Sequence, residues 1–464
     1  MTPRGLHHHD PRTVGDGRAG RRLDALAALG ALLLVALAVV VGRALERSEG
    51  TLHVDWPPLY ASWFPHTGPG TVAAIAVAVA VVAGGPAVAR ALAWRPLVLL
   101  TWAVSVLWTF ALALVDGPRG FAEPLESPYE YPASVDRFAD VGAALRGFTG
   151  HILIGQPDNW PTHVAGHPPG AVLTFVALDR LGLGGGAWAG AWCVVAGASA
   201  AAAVLVALRA LGAEGAARSA APFLALFPGA VWVGASADGY FAGVAAWGLA
   251  LLAVAASPDA RAPRVTALAA GLLLGWTVYL SYGLVLLAIP AVAVLVCART
   301  ARPLPYALAG ALAVAAAFTA AGFWWLEGYR LVVERYYQGV AAVRPYGYWV
   351  WANLATVVLT AGVASVAGAR RALARLPRAV CSRPGPASGS RVGPVALLVG
   401  GAVCAIAVAD LSGMSKAETE RIWLPFALWL VPAAALLPSR DHRVWLALQA
   451  ATALLVDHLL DTGW

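Results

Sequence analysis

Charge is what this chain has least of. Only 12% of its 464 residues are Asp, Glu, Lys or Arg, where a soluble globular domain carries about 25%. Lys416 is the only lysine. Cysteine is sparse too: Cys193, Cys297, Cys381 and Cys404 are scattered, mostly within apolar runs, with no CxxC and no ligand spacing. That pattern supports neither a zinc site nor a disulfide framework. No cluster has metal-ligand spacing, so no metal residue is assigned, and assistance by a divalent metal stays open. No internal repeat is evident, which gives no support to a transporter built from inverted repeats.

Apolar sequence fills the space that charge leaves, with 59% hydrophobic residues and a mean hydropathy of +0.70. Runs of roughly 20 apolar residues are long enough to cross a hydrocarbon core of about 30 Å as helices. They predict an all-α, polytopic membrane protein. Thirteen spans are expected, near 23–42, 71–90, 96–115, 187–208, 216–235, 239–256, 265–281, 283–298, 304–325, 347–367, 392–409, 422–438 and 444–460. The first is read as a retained helix, because it is long for a signal-peptide core and lacks a convincing cleavage site. His7–His9 sit in an Arg-rich leader (1–22) that reads as a disordered cytoplasmic tail.

Between the third and fourth spans, "THVAGHPPGAVLTFVALDRLGLGGGAW" (162–188) contains an apolar run too short to cross comfortably. Cytoplasmic segments are enriched in Lys and Arg, and this rule decides the case. If 171–183 does not cross, roughly two thirds of the basic residues fall inside; if it crosses, fewer than half do. The run is therefore expected to dip into the outer leaflet and return. This puts the amino terminus in the cytoplasm of a plasma membrane and the carboxyl terminus outside. Most acids, and many Trp and Tyr residues, then share the outer face. The basic surplus belongs to cytoplasmic loops, above all 368–391, read as an anchor to anionic headgroups; nucleic acid is not an expected partner.

Four regions follow: the leader (1–22), an extra amino-terminal helical hairpin (23–95), a core (96–330) with a long outer loop (116–170), and carboxyl-terminal helices (331–464). Within the loop, Val135, Phe138, Val141, Leu145 and Phe148 follow helical spacing and predict an amphipathic helix along the membrane surface. "SPYEYP" just ahead holds Glu130 between tyrosines and prolines, which stiffen the backbone. "SADGY" places Asp238 at the start of a span, either as a functional acid or as a simple helix cap. "GMSKAETERIWLPF" gathers Lys416, Glu420 and Arg421 at a span mouth, where they bind a polar ligand or snorkel to the interface. "EGYRLVVERYYQG" (327–339) is a second polar, aromatic outer segment.

The order of these elements is informative. A span leads into a long outer loop with an early acid beside a tyrosine. An amphipathic stretch follows, then a basic residue with Pro-Pro, then a short non-spanning helix closing on Leu-Gly, then a span. Over roughly 96–300 this order resembles the GT-C superfamily of integral-membrane glycosyltransferases, near the protein O-mannosyltransferases and the lipid A aminoarabinose transferase. The resemblance implies transfer of a sugar from a polyprenyl-phosphate donor to an extracytoplasmic glycan, lipid or protein, with inversion. It places Glu130 as general base, with Asp136 in reserve. Where the family often has an acidic pair, this chain has Tyr129-Glu130. His167 takes the place of the basic residue near the donor phosphate, and Asp238 that of an acid at the outer end of a later span. His163, Tyr282, Arg335, Lys416, Glu420 and Arg421 complete the expected donor-binding set. The competing expectation is a non-catalytic multi-pass protein, either a transporter or a pseudoenzyme that serves as an assembly partner.

Overall fold

The computed structural model describes residues 17–234, 236–381 and 393–462. His7–His9 and the basic segment beyond 381 lie outside the described residues. Among those described, seven helices are long and apolar enough to cross a membrane. They are α1 (Arg18–Glu49), α2 (Thr71–Ala91), α3 (Trp94–Ala113, tightening into a 3-10 turn to Asp116), α5 (Gly186–Ala210), α7 (Ala237–Ala256), α8 (Pro263–Leu280) and α13 (Gly393–Leu411). Two bent pairs raise the count to nine if each is one span: α9 (Leu304–Ala320) with α10 (Trp325–Gln338), and α11 (Tyr346–Ala361) with α12 (Val363–Cys381). The chain is thus a helical membrane protein, but the expected thirteen spans are not reproduced.

The shortfall has identifiable causes. Proline lacks an N–H and disturbs the α ladder. The expected span at 216–235 stops as α6 (Glu214–Ala225), ahead of Phe227-Pro228. The one at 422–438 becomes a 3-10 segment over Leu428–Leu436 with Pro432 inside it. The one at 283–298 is α-helical only from Ala288. The last, α14 (His442–Leu459), is long enough but carries Gln449, Asp457 and His458. The bends of 77° and 108° each sit on a glycine in the left-handed region, Gly322 at φ +97° and Gly362 at φ +86°, where a side chain is disfavoured.

The helices ahead of these bends pack closely through small residues. Any Cβ on Gly243 of α7 would collide with the Ala196 carbonyl of α5, the close approach typical of membrane helix pairs.

Contacts at the helix ends define two faces. α5 runs antiparallel to α3: Gly190 lies against the Phe121 carbonyl, while Arg209 stacks 4.6 Å over Trp94 at the other end. The helix before it, α4 (Gly170–Arg180), has 11 residues. At 1.5 Å per residue it extends about 16 Å, roughly half a hydrocarbon core. Arg180 at its end donates to the Phe138 carbonyl at 2.9 Å, within the same long loop from which α4 departs. The segment therefore returns to its starting face, as the distribution of arginines predicts.

Arginines dominate the opposite face. Arg218 donates to the Ala89 and Leu92 carbonyls, and Arg370 and Arg371 both pair with Asp24. This corrects the expectation of a solvated headgroup anchor beginning at 368. α12 remains helical through Cys381, and Arg371, only 3% exposed, is buried by its bidentate pair with Asp24.

The amino-terminal helices do not form a separate hairpin. α1 packs on α11 and α12, whereas α2 packs on α3, α6 and α14. Their connection crosses the site face, where β1 (Ser62–Trp63) pairs antiparallel with β2 (Leu460–Asp461) near the carboxyl terminus. The amphipathic stretch at 132–148 is also corrected. It divides into a 3-10 segment (Tyr131–Phe138) and a short helix (Val141–Gly147) capped by the Asp140 side chain. Phe138 and Phe148 are buried and stack on Trp160 instead of facing lipid.

Candidate functional site

Four segments converge beneath the connection between α1 and α2. Glu130 immediately precedes the 3-10 segment whose first turn holds Pro132, and its N–H is fixed by the Ser127 carbonyl. His163 lies in the short helix Thr162–Gly166, tied to the same loop by its N–H to the Tyr129 carbonyl. Asp238 is in the first turn of α7. Arg421 lies in the short helix Thr419–Ile422, entered through two left-handed residues, Ala417 at φ +75° and Glu418 at φ +61°. Non-glycine residues in this region are strained, and such strain tends to collect at functional sites.

All four side chains are buried, and they are bonded in series. Arg421 donates to Asp238 Oδ2 at 2.7 Å and to Glu418 Oε2 at 2.7 Å. It also approaches His163 Nε2 at 3.2 Å. Because a guanidinium only donates, Nε2 carries the lone pair and the ring proton sits on Nδ1. That nitrogen lies 2.5 Å from Glu130 Oε1. The other carboxylate oxygen, Oε2, is buried with no hydrogen-bond partner among the described residues. Tyr131 stacks on Phe175 at 5.3 Å and meets the His167 ring edge-on at 5.8 Å, forming an aromatic wall behind the charges.

The electrostatics follow from these contacts. Burial alone would raise the Glu130 carboxyl, but His163 and Arg421 outweigh it and hold the group below its ordinary range. Glu418 behaves likewise: burial opposes ionisation, and Arg421 and His163 restore it. For Arg421, burial is overcome by Asp238, Glu418 and Glu130, so its affinity for the proton rises. His167 is lowered, chiefly by burial, and donates its Nδ1 proton to the His163 carbonyl at 2.8 Å. Glu420 goes the other way. It is fully buried, its Oε1 accepts the Tyr60 N–H at 3.0 Å, and its carboxyl is pushed up to about 7 by burial.

The expected set is therefore only partly assembled. Glu130, His163, Asp238 and Arg421 meet, with His167 behind them. Asp136, the reserve base, is exposed and makes none of these contacts. Arg421 was expected to meet a phosphate, yet its donors are engaged by carboxylates. Lys416 turns away and donates to the Ala341 carbonyl at 2.9 Å; burial and Arg344 lower its proton affinity. Tyr282 packs among Trp325 and Tyr329. Arg335, on α10, keeps a buried Nη1 without a partner among the described residues. Its helix packs on the one that bears His163.

Sequence reasoning missed several participants. Glu418 was visible only as one member of an acidic run. Arg344 binds the Leu52 and Lys416 carbonyls and lies 3.9 Å from Glu418. Tyr60 belongs to the loop between α1 and α2, whose Glu49 and Asp55 are alternative catalytic acids in the sequence but lose to Glu130 because the His-Pro-Pro element follows the later loop directly. Those acids do stay outside the cluster, but the loop's backbone reaches Glu420. Among the described residues, no group of three or more His, Cys, Asp or Glu side chains is placed to hold a metal ion. Comparison with protein-family models, curated proteins and solved structures finds no match.

Proposed function

We propose that the chain is a membrane glycosyltransferase of the GT-C type, moving a sugar from a polyprenyl-phosphate donor to an extracytoplasmic acceptor in the cell envelope. The observation that carries this reading is Glu130, a buried, ionised carboxylate with one oxygen oriented by His163 and the other unpartnered. Arginine concentrates on the opposite face, which by the positive-inside rule supports an extracytoplasmic position for Glu130 in a plasma membrane.

In the proposed reaction an acceptor hydroxyl attacks the anomeric carbon, and the bond from that carbon to the phosphate oxygen breaks. Glu130 Oε2 takes the hydroxyl proton, help worth about 10²–10⁴-fold. The polyprenyl phosphate leaves, its charge met by groups not already paired. Arg335, with its unpartnered Nη1, fits that role better than Arg421 or Lys416. Because Glu130 is only 3% exposed, the outer segments must part to admit substrate.

The same burial favours a second reading, a non-catalytic membrane protein in which the ion-pair chain only braces the outer face. The test is transfer of labelled sugar from a polyprenyl phosphate in membranes carrying wild type or Glu130→Gln. Loss of transfer in the variant, with unchanged expression and unfolding, supports catalysis. Equal transfer removes Glu130 from the chemistry, and no transfer by wild type from any donor supports the second reading.

A further inference from the structure

Far from Glu130, on the arginine-rich side, α2, α3 and α6 enclose an apolar groove of about 200 Å³. Its floor exists because of sequence: Gly84-Gly85-Pro86 in α2 offers little side chain opposite Thr101 of α3 and Pro222 of α6. A Cβ on Gly85 would touch Pro222, whereas one on Gly84 would meet nothing within 4 Å, so the space lies over Gly84. Thr101 spends its hydroxyl on the Leu97 carbonyl at 2.8 Å and offers no donor to the groove. Without polar partners, water gains little there, and aliphatic cavities of about 150 Å³ stay dry and accept hydrocarbon. The rim residues Val88 and Leu100 are 40% and 41% exposed, so the groove opens outward to where lipid chains lie.

One helical turn from its end, the tip joining α2 to α3 carries Arg90 and Arg95. Both are exposed, and neither has a hydrogen bond or ion pair among the described residues. The neighbouring Arg209 and Arg218 already share Glu214 and bind backbone carbonyls. An apolar slot ending at two uncommitted guanidinium groups matches one class of molecule: an acyl chain attached to an anionic headgroup.

We propose that this groove binds an anionic glycerophospholipid of the leaflet on the arginine-rich side, with one acyl chain over Gly84 and the phosphate between Arg90 and Arg95. The site is independent of the proposed glycosyltransferase reaction, which uses the opposite face.

The test uses the full chain in nanodiscs doped with phosphatidylglycerol bearing a diazirine on its acyl chain, and peptide mapping of the adducts. Adducts should concentrate in 80–104 and 221–225. Unlabelled phosphatidylglycerol should compete about tenfold or more better than phosphatidylcholine, as two arginines at a headgroup imply. Gly84→Phe, which fills the open space, should remove most of these adducts. Arg90→Gln with Arg95→Gln should abolish the preference between competitors while labelling persists; both residues are exposed, so this variant folds even where Gly84→Phe does not. Adducts spread evenly along α2 and α3, equal competition by the two lipids on wild type, or stronger competition by a polyprenyl phosphate would each overturn the proposal.

Discussion

Glu420→Gln isolates the cost of burying one carboxyl. In the folded chain this acid is fully buried and pushed from 4.5 to about 7. A gap of about 2.5 units at about 1.4 kcal/mol per unit corresponds to about 3 kcal/mol. The sign is set by which state holds the proton. At or below pH 4.5 folded and unfolded chains both tend to be protonated, so the group contributes little. As pH rises, the unfolded chain releases its proton first, and stability falls until the folded group also ionises near pH 7. Glutamine keeps an oxygen for the Tyr60 N–H and removes the titration. The variant should therefore match wild type near pH 4.5 and exceed it by up to about 3 kcal/mol near pH 8. The assay is unfolding by sodium dodecyl sulfate in mixed micelles, followed by circular dichroism at several pH values. A difference that does not change with pH would refute the reasoning, because a merely structural effect of the amide has no reason to titrate.

Other outcomes follow from the same geometry. Arg421→Met leaves Asp238, Glu418 and Glu130 without their shared cation, and should cost about 3–5 kcal/mol in the same titration; a loss under about 1 kcal/mol would mean that the carboxylates find other partners. Gly362→Ala forces a side chain into the left-handed bend between α11 and α12, where it also crowds Gln449 and Pro228; a loss of at least about 1–2 kcal/mol is expected. In a cysteine-free background, Ile154→Cys and Leu181→Cys, which flank α4 and are both exposed, should react with an impermeant maleimide from the same side of the membrane. Labelling of the two from opposite sides would mean that α4 crosses.

Much of this architecture was legible in sequence because the bilayer imposes a simple demand. A segment that crosses must satisfy its own backbone and tolerate hydrocarbon, so α1, α2, α3, α5 and α7 announce themselves as apolar runs. The return of α4 was legible for a related reason, since arginines record the side on which loops remain. Hydropathy was blind to interruptions. Pro432, Pro228 and the glycines at the two bends hardly change the mean hydropathy of a window, yet they shorten or redirect the helix. It also could not show that Asp24 waits for Arg371, so a buried lock was read as a lipid anchor.

The site was legible as residues but not as a set. Sequence alone marked Glu130, His163, Asp238 and Arg421 as unusual polar groups in an apolar chain, and composition committed the protein to a membrane. Nothing along the chain says that Arg421 faces Asp238 while Lys416 faces Ala341, because their directions depend on the left-handed turn at Ala417 and Glu418. Membership in the membrane is a sum over local transfer energies and can be added up residue by residue. Which charges share a buried cluster depends on side chains hundreds of positions apart meeting within 3 Å or so, and only the packed helices decide that.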